Sequence, residues 1–192
     1  MKKWLAILFM LLPTMAWAQS EVKLAPAQRH FFNTFFSNFA EADVQSFKKD
    51  SMTDEALLNF ALRHNYINNF KSLKKSSDGL SVIVPVSMVD ETTVKYFGRK
   101  MAKHSKQSYS VPMAEGETHG FSQLIRLREL GDGLFEAEGI IYSAGSGSTV
   151  DPHGTPAGWK KAGETVEPAG AFTALIKTES RRYILLEYSV KK

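Results

Sequence analysis

Five phenylalanines within nine residues, Phe31, Phe32, Phe35, Phe36 and Phe39, constrain this chain more than any other feature. Their spacing of i, i+1, i+4, i+5 and i+8 matches a 3.6-residue period, so a helix gathers all five on one broad stripe. Each buried ring contributes roughly 2 kcal/mol, and other elements must cover the stripe for that gain to be realised. The spacing predicts a helix from Pro26 to Glu41 that faces a core. Its proline lies in the first turn, where the missing N–H is no loss. The competing reading of the stripe is contact with a lipid or ligand.

A second helix is expected over 54–64, weaker over 65–70. Ser51 to Asp54 resembles a capping box, Thr53 is an equally good cap, and Leu57, Leu58, Ala61, Leu62 and Tyr66 form the apolar face. Asn65 tolerates the left-handed conformation and is the expected interruption. Asp78-Gly79 marks a turn, and Leu80, Val82 and Val84 alternate as a short strand that Pro85 ends or places at an edge. A third helix is expected over 88–97, with its cap at Ser87 to Asp90 and its stop at Gly98. Tyr109, Val111 and Met113 alternate as an edge strand.

The C-terminal half has the period of antiparallel sheet. Phe121, Gln123, Ile125 and Leu127 fall at every second position, and Gly131-Asp132-Gly133 follows as a hairpin turn. Phe135, Ala137, Gly139 and Ile141 then alternate against Glu136, Glu138 and Ile140, with the glutamates on the solvent side. After an interruption from 143 to about 170, Phe172, Ala174 and Ile176 share one side. Ser180-Arg181 forms a short turn, and Tyr183 to Val190 is the last strand. The expected fold is therefore α+β, with N-terminal helices packed on a C-terminal antiparallel meander of about four strands. A helix over Arg29 to Phe39, further helices, and meandering strands over Phe121 to Val190 resemble the cystatin-like and NTF2-like α+β group in their order of elements. That resemblance implies a cone between sheet and helices, with acidic or histidine catalytic groups on the sheet interior. No such pair is matched here, so no catalytic residue is carried over.

Residues 1–18 have the form of a secretory signal peptide: Lys2 and Lys3, an apolar run from Trp4 to Leu12, Pro13, then Ala16-Trp17-Ala18. The expected mature chain is one domain, 19–192, periplasmic or secreted. Cysteine is absent, which excludes disulfides, thiol catalysis and the lipid-bearing cysteine of a lipoprotein. No later segment is apolar for long enough to span a bilayer, so no stable membrane insertion is expected. The chain has 24 Lys and Arg against 20 Asp and Glu; removal of Lys2 and Lys3 leaves 22 against 20, a formal +2. That balance does not call for nucleic acid. The densest basic stretch, Lys71 to Lys75, is expected to be a solvated turn or strand edge.

The interruption from Ser143 to about Gly170 is long for a meander, and such loops tend to be functional or disordered. It mixes titratable and aromatic groups, so Tyr142, Asp151, His153 and Trp159 are the candidate ligand contacts. The plainer reading has Trp159 anchoring the loop on the body. Gly145 to Thr149 lacks the lysine of a phosphate loop. No zinc-protease histidine spacing and no G-x-S-x-G elbow occur. The acid pairs Asp54-Glu55 and Asp90-Glu91 are expected in first turns of helices. No cofactor or metal is expected. The expected function is an exported non-enzymatic binding or protein-interaction domain of the cell envelope, whose partner is a small ligand or an envelope protein. The alternatives are a small hydrolase or isomerase with its site in the cone, and a module that offers residues 107–113 as an edge strand. Oligomeric state is left open.

Overall fold

A computed structural model describes residues 20–113, 119–145 and 148–192; the signal-like segment 1–18 lies outside the described residues, as do 146–147 of the glycine-serine run. The fold is α+β, as the periodicities require; among the described residues eight strands form two antiparallel sheets, more than the meander of about four and the two short strands expected before it. Helix α1 (Pro26–Glu41) covers the anticipated range with Pro26 at its start. Phe32, Phe35, Phe36 and Phe39 are buried, but Phe31, at the margin of the stripe, is 47% exposed and rests near Tyr183 at 5.7 Å. The expectation that all five rings seal the interior is corrected to four.

Helix α2 (Asp54–Asn69) runs past Asn65 and continues into a 3-10 turn over Phe70–Ser72. Asn65 does not interrupt the helix because its buried amide donates to the Ala61 carbonyl and to Thr92 Oγ1, both at 2.8 Å. Thr53 is the cap, its hydroxyl accepting from Ala56 N–H at 3.2 Å, whereas Ser51 closes a preceding turn on Lys48. Helix α3 (Val86–Phe97) begins two residues earlier than expected, directly after Pro85, and Ser87 caps nothing. Gly98 ends it in the left-handed region, φ +72°.

Strands β2 (Lys74–Lys75), β3 (Ser81–Pro85) and β4 (Ser108–Pro112) form a small sheet in the order β2-β3-β4, so β4 is an edge as its alternation suggested. The large sheet has the order β1-β5-β6-β7-β8, from β1 (Ser20–Glu21), β5 (His119–Gly131), β6 (Leu134–Ala144), β7 (Val166–Glu179) and β8 (Arg182–Lys191). A short helix, α4 (Pro156–Lys161), sits in the β6–β7 connection, which is therefore shorter than expected.

Two alternations are corrected: Leu80 falls before β3, at the turn and 70% exposed, while Val82 and Val84 are buried, and the second correction is on β5. Ile125 lies in a register shift between the pairs Leu124–Gly139 and Arg126–Glu138. An extra residue in one strand flips every later side chain. Leu124 and Leu127 thereby share the core face, while Ile125 is 57% exposed. Without the bulge, Arg126 and Arg128 would point inward; with it they lie on the outer face and pair with Glu138 and Glu136. Phe121 faces away from α1 and belongs to a separate cluster. On β6 the small Ala137 and Gly139 make room for rings above them. Phe172 leans over Gly139, where a Cβ would fall 2.3 Å from its Cε1, and Phe36 packs on Phe172 at 4.6 Å.

Candidate functional site

The four residues singled out in the long connection meet, but as a packed unit. Trp159 is 5% exposed and Tyr142 is 7% exposed; both are edge-on to a neighbour in a cluster with Phe121. Trp159 Nε1 donates to the Asp151 carbonyl at 2.8 Å, and the Asp151 carboxylate accepts from His153 N–H at 2.9 Å. Gln123 on β5 donates to the carbonyls of Pro152 and Gly154 at 2.8 and 2.9 Å. Ser148 and Thr149 both donate to Glu164, which their hydrogen bonds hold below the usual carboxylate range. The connection is thus a strap over the outer face of the large sheet. His153 reaches α1 and stacks on His30 with ring centroids 3.3 Å apart. Burial pushes the His153 imidazole down, the His30 charge pushes it further, and Asp151 opposes both.

A second constellation fastens the segment between α3 and β4. His104 bridges Asp90 Oδ1 at 3.0 Å and the Tyr109 hydroxyl at 3.3 Å, while Lys100 reaches Asp90 Oδ2 at 3.1 Å. Burial resists ionisation of Asp90, yet the His104 and Lys100 contacts win and hold its carboxyl low. Asp90 therefore does not serve the first turn of α3, which carries no acid; Asp54 and Glu55 do lie in the first turn of α2. Among the described residues, no group of three or more His, Asp or Glu could hold a metal ion.

An open cleft of about 610 Å³ lies at the C-terminal end of α1, between the residues that follow the helix and the far ends of β6, β7 and β8. Val44, Ile141, Tyr188 and Val190 give it apolar walls, and Tyr142 is also part of its lining. Glu41, Asp43, Arg63 and Lys192 supply charges of both signs at its rim. Arg63 and Lys192 have no ion pair among the described residues. Tyr188 is 1% exposed; its hydroxyl finds no partner, and burial pushes its ionisation upward.

Glu41 is the distinctive group of this cleft. Burial raises its carboxyl to about 7, against a lowering hydrogen bond from Asn68. Behind it, His64 packs between Phe60 and Tyr96 and is pushed down to about 4 by burial and then by the Lys95 charge. Tyr96 is raised to about 12 by burial and by the Glu41 charge. Asn68 lies 3.2 Å from His64 Nδ1, an acceptor in the neutral tautomer assigned here from that contact. His64 does not line the cleft, so no imidazole stands beside Glu41 there. Sequence reasoning missed Glu41. Its one signal was an acid in the last turn of a helix, the end whose dipole disfavours negative charge. Family models, curated proteins and solved structures were each compared with this chain, and none matches it.

Proposed function

We propose that the protein is an exported non-enzymatic binding domain of the cell envelope, periplasmic or secreted, whose small-molecule ligand sits in the cleft at the end of α1. The observation that carries this reading is the contrast between a filled cone and an open mouth. Phe32, Phe35, Phe36 and Phe39 occupy the space between α1 and the sheet. What remains accessible has apolar walls, rim charges of both signs and a single acid of raised affinity for protons. That composition suits an apolar molecule with one or two polar ends. A hydrolase or isomerase site would want a carboxylate and an imidazole within hydrogen-bond reach, and among the described residues no histidine lines the cleft beside Glu41. The order of elements, α1 then helices then meander, supports the kinship with the cystatin-like and NTF2-like group that we propose on that ground alone.

The test plugs the mouth. Ala169 is exposed at the cleft, so Ala169→Trp fills it without disturbing the core. Protein purified from its native envelope is extracted with organic solvent, and the extract is read by mass spectrometry. A small molecule present with the wild type and depleted in the variant is the expected result. Identical extracts, or none from either protein, would remove the cleft from the argument.

A further inference from the structure

Charge is unevenly distributed along this chain. Between Arg63 and Pro112 it carries nine Lys and Arg against three Asp and Glu, a formal +6, while all other residues together sum to −2. This lobe comprises the end of α2, the small sheet and α3. Arg99 pairs with Asp54 and Lys100 with Asp90. Lys71, Lys74 and Lys75 are exposed and have no ion pair among the described residues. They lie in and just before β2, which forms a hairpin with β3. Two of the four exposed large apolar side chains among the described residues lie in the same stretch: Leu80 at the hairpin turn, 70% exposed, and Phe70 at 38% in the 3-10 turn that precedes β2.

The turn that presents Leu80 is internally fastened. Ser76 Oγ donates to Asp78 Oδ1 at 2.5 Å, Asp78 Oδ1 accepts from Leu80 N–H at 2.9 Å, and Ser76 N–H donates to the Ser81 carbonyl at 2.9 Å. Leu80 is therefore held outward by a built turn. Cations around projecting apolar groups match one kind of surface. Lysines attract an anionic leaflet and keep their heads at the phosphate level, while leucine and phenylalanine gain by entering the boundary beneath. A soluble polyanion would use the lysines and leave Leu80 and Phe70 in water.

We propose that residues 70–85, the 3-10 turn followed by the β2–β3 hairpin, dock this protein reversibly on an anionic lipid surface, with Lys71, Lys74 and Lys75 on the headgroup phosphates and Leu80 and Phe70 in the headgroup–acyl boundary. This docking is independent of the cleft and of any ligand in it. The experiment is co-sedimentation with vesicles of equal phosphatidylglycerol and phosphatidylcholine, compared with vesicles of phosphatidylcholine alone. Binding should be at least about tenfold stronger on the anionic vesicles at about 0.05 M salt, and most of it should vanish at about 0.5 M. Lys71→Glu/Lys74→Glu/Lys75→Glu should reduce it to the neutral-vesicle level. Leu80→Asp should weaken it severalfold even at low salt. All four positions are exposed, and far-UV circular dichroism verifies the fold; if charge reversal disturbs it, the Gln triple variant repeats the measurement. Equal binding to both vesicle types, unchanged binding by the triple variant, or retention on heparin with none on anionic vesicles would overturn the proposal, the last in favour of a soluble polyanion.

Discussion

Glu41 and His64 occupy one helical layer and are displaced in opposite senses by the same cause, burial. For Glu41 the folded value, about 7, lies above the ordinary 4.5, so its contribution is fully present below pH 4.5 and is lost as pH rises through 7. For His64 the folded value, about 4, lies below 6.5, so its contribution is present above pH 6.5 and is lost as pH falls through 4. Between pH 4.5 and 6.5 the two slopes offset one another. Each single variant should expose the other slope. Glu41→Gln should gain stability as pH rises over that window, by up to about 3 kcal/mol, and His64→Gln should lose a similar amount. Chemical denaturation at half-unit pH steps measures both, and flat profiles in both variants would show that neither group is as displaced as burial implies. At this scale the sequence was least informative. Tyr142, Asp151, His153 and Trp159 were found as a group because glycine and proline framed them. Whether a tryptophan in such a loop faces solvent or a phenylalanine on β5 is decided by contacts distant in sequence.

Helix α1 is more than an apolar stripe, and its second row explains how the sheet ends. Arg29, Asn33 and Ser37 are four residues apart and stack along one side of the helix. Arg29 donates to the Leu124 carbonyl at 2.8 Å, and the Asn33 side-chain oxygen accepts from Leu124 N–H at 2.8 Å. Ser37 Oγ accepts from Ser122 N–H at 2.9 Å and donates to the Ser122 carbonyl at 3.3 Å. A helix thus supplies the hydrogen bonds that a neighbouring strand would give to β5. Asn33→Leu keeps bulk but leaves Leu124 N–H buried and unpaired, so it should cost about 1–3 kcal/mol, read as a lowered urea midpoint with unchanged m-value. Gly98 is the comparable point on α3. It needs φ +72°, and a Cβ there would fall 2.9 Å from Ile184 Cδ1. Gly98→Ala should therefore cost about 1–2 kcal/mol by strain, whereas Ala at the open, exposed Gly145 should change little. The range of α1, the Gly98 stop and the β5–β6 hairpin were legible because periodicity and turn chemistry act locally. The polar row was equally local in spacing but meaningful only once β5 was known to be beside it. The Ile125 bulge left no local mark, because alternation of Phe121, Gln123, Ile125 and Leu127 persists on paper when an inserted residue turns the strand over.

Across the whole molecule, the open edges of the large sheet are covered by different means. Beside β5, α1 side chains serve Ser122 and Leu124, and β1 pairs with Arg128 and Glu129. Beside β8, Phe47 exchanges both backbone hydrogen bonds with Tyr188, and Ser46 Oγ accepts from Val190 N–H. Exposed strand edges invite association, so such covering favours a chain that stays discrete. The strap differs from these covers because its contact with α1 titrates. Two stacked imidazoles 3.3 Å apart do not tolerate a second proton well, and His153 Nδ1 is buried without a partner. With its folded pKa depressed, His153 contributes stability that is present above the ordinary imidazole value and lost as pH falls. The groups facing it are His30, whose charge opposes protonation, and Asp151, whose charge favours it. Acidification should therefore loosen the strap first, while the phenylalanine core stays closed, because His64, the histidine packed on Phe60 and Tyr96, is held neutral down to about pH 4. Trp159 is the only tryptophan after residue 18, so its fluorescence reports the strap in a chain that begins at Gln19. A red shift between about pH 7.5 and about pH 5, with far-UV circular dichroism unchanged, is the expected signal. His30→Ala removes the opposing charge and should move that shift to lower pH or abolish it. The same midpoint in wild type and variant would place the responsible proton elsewhere.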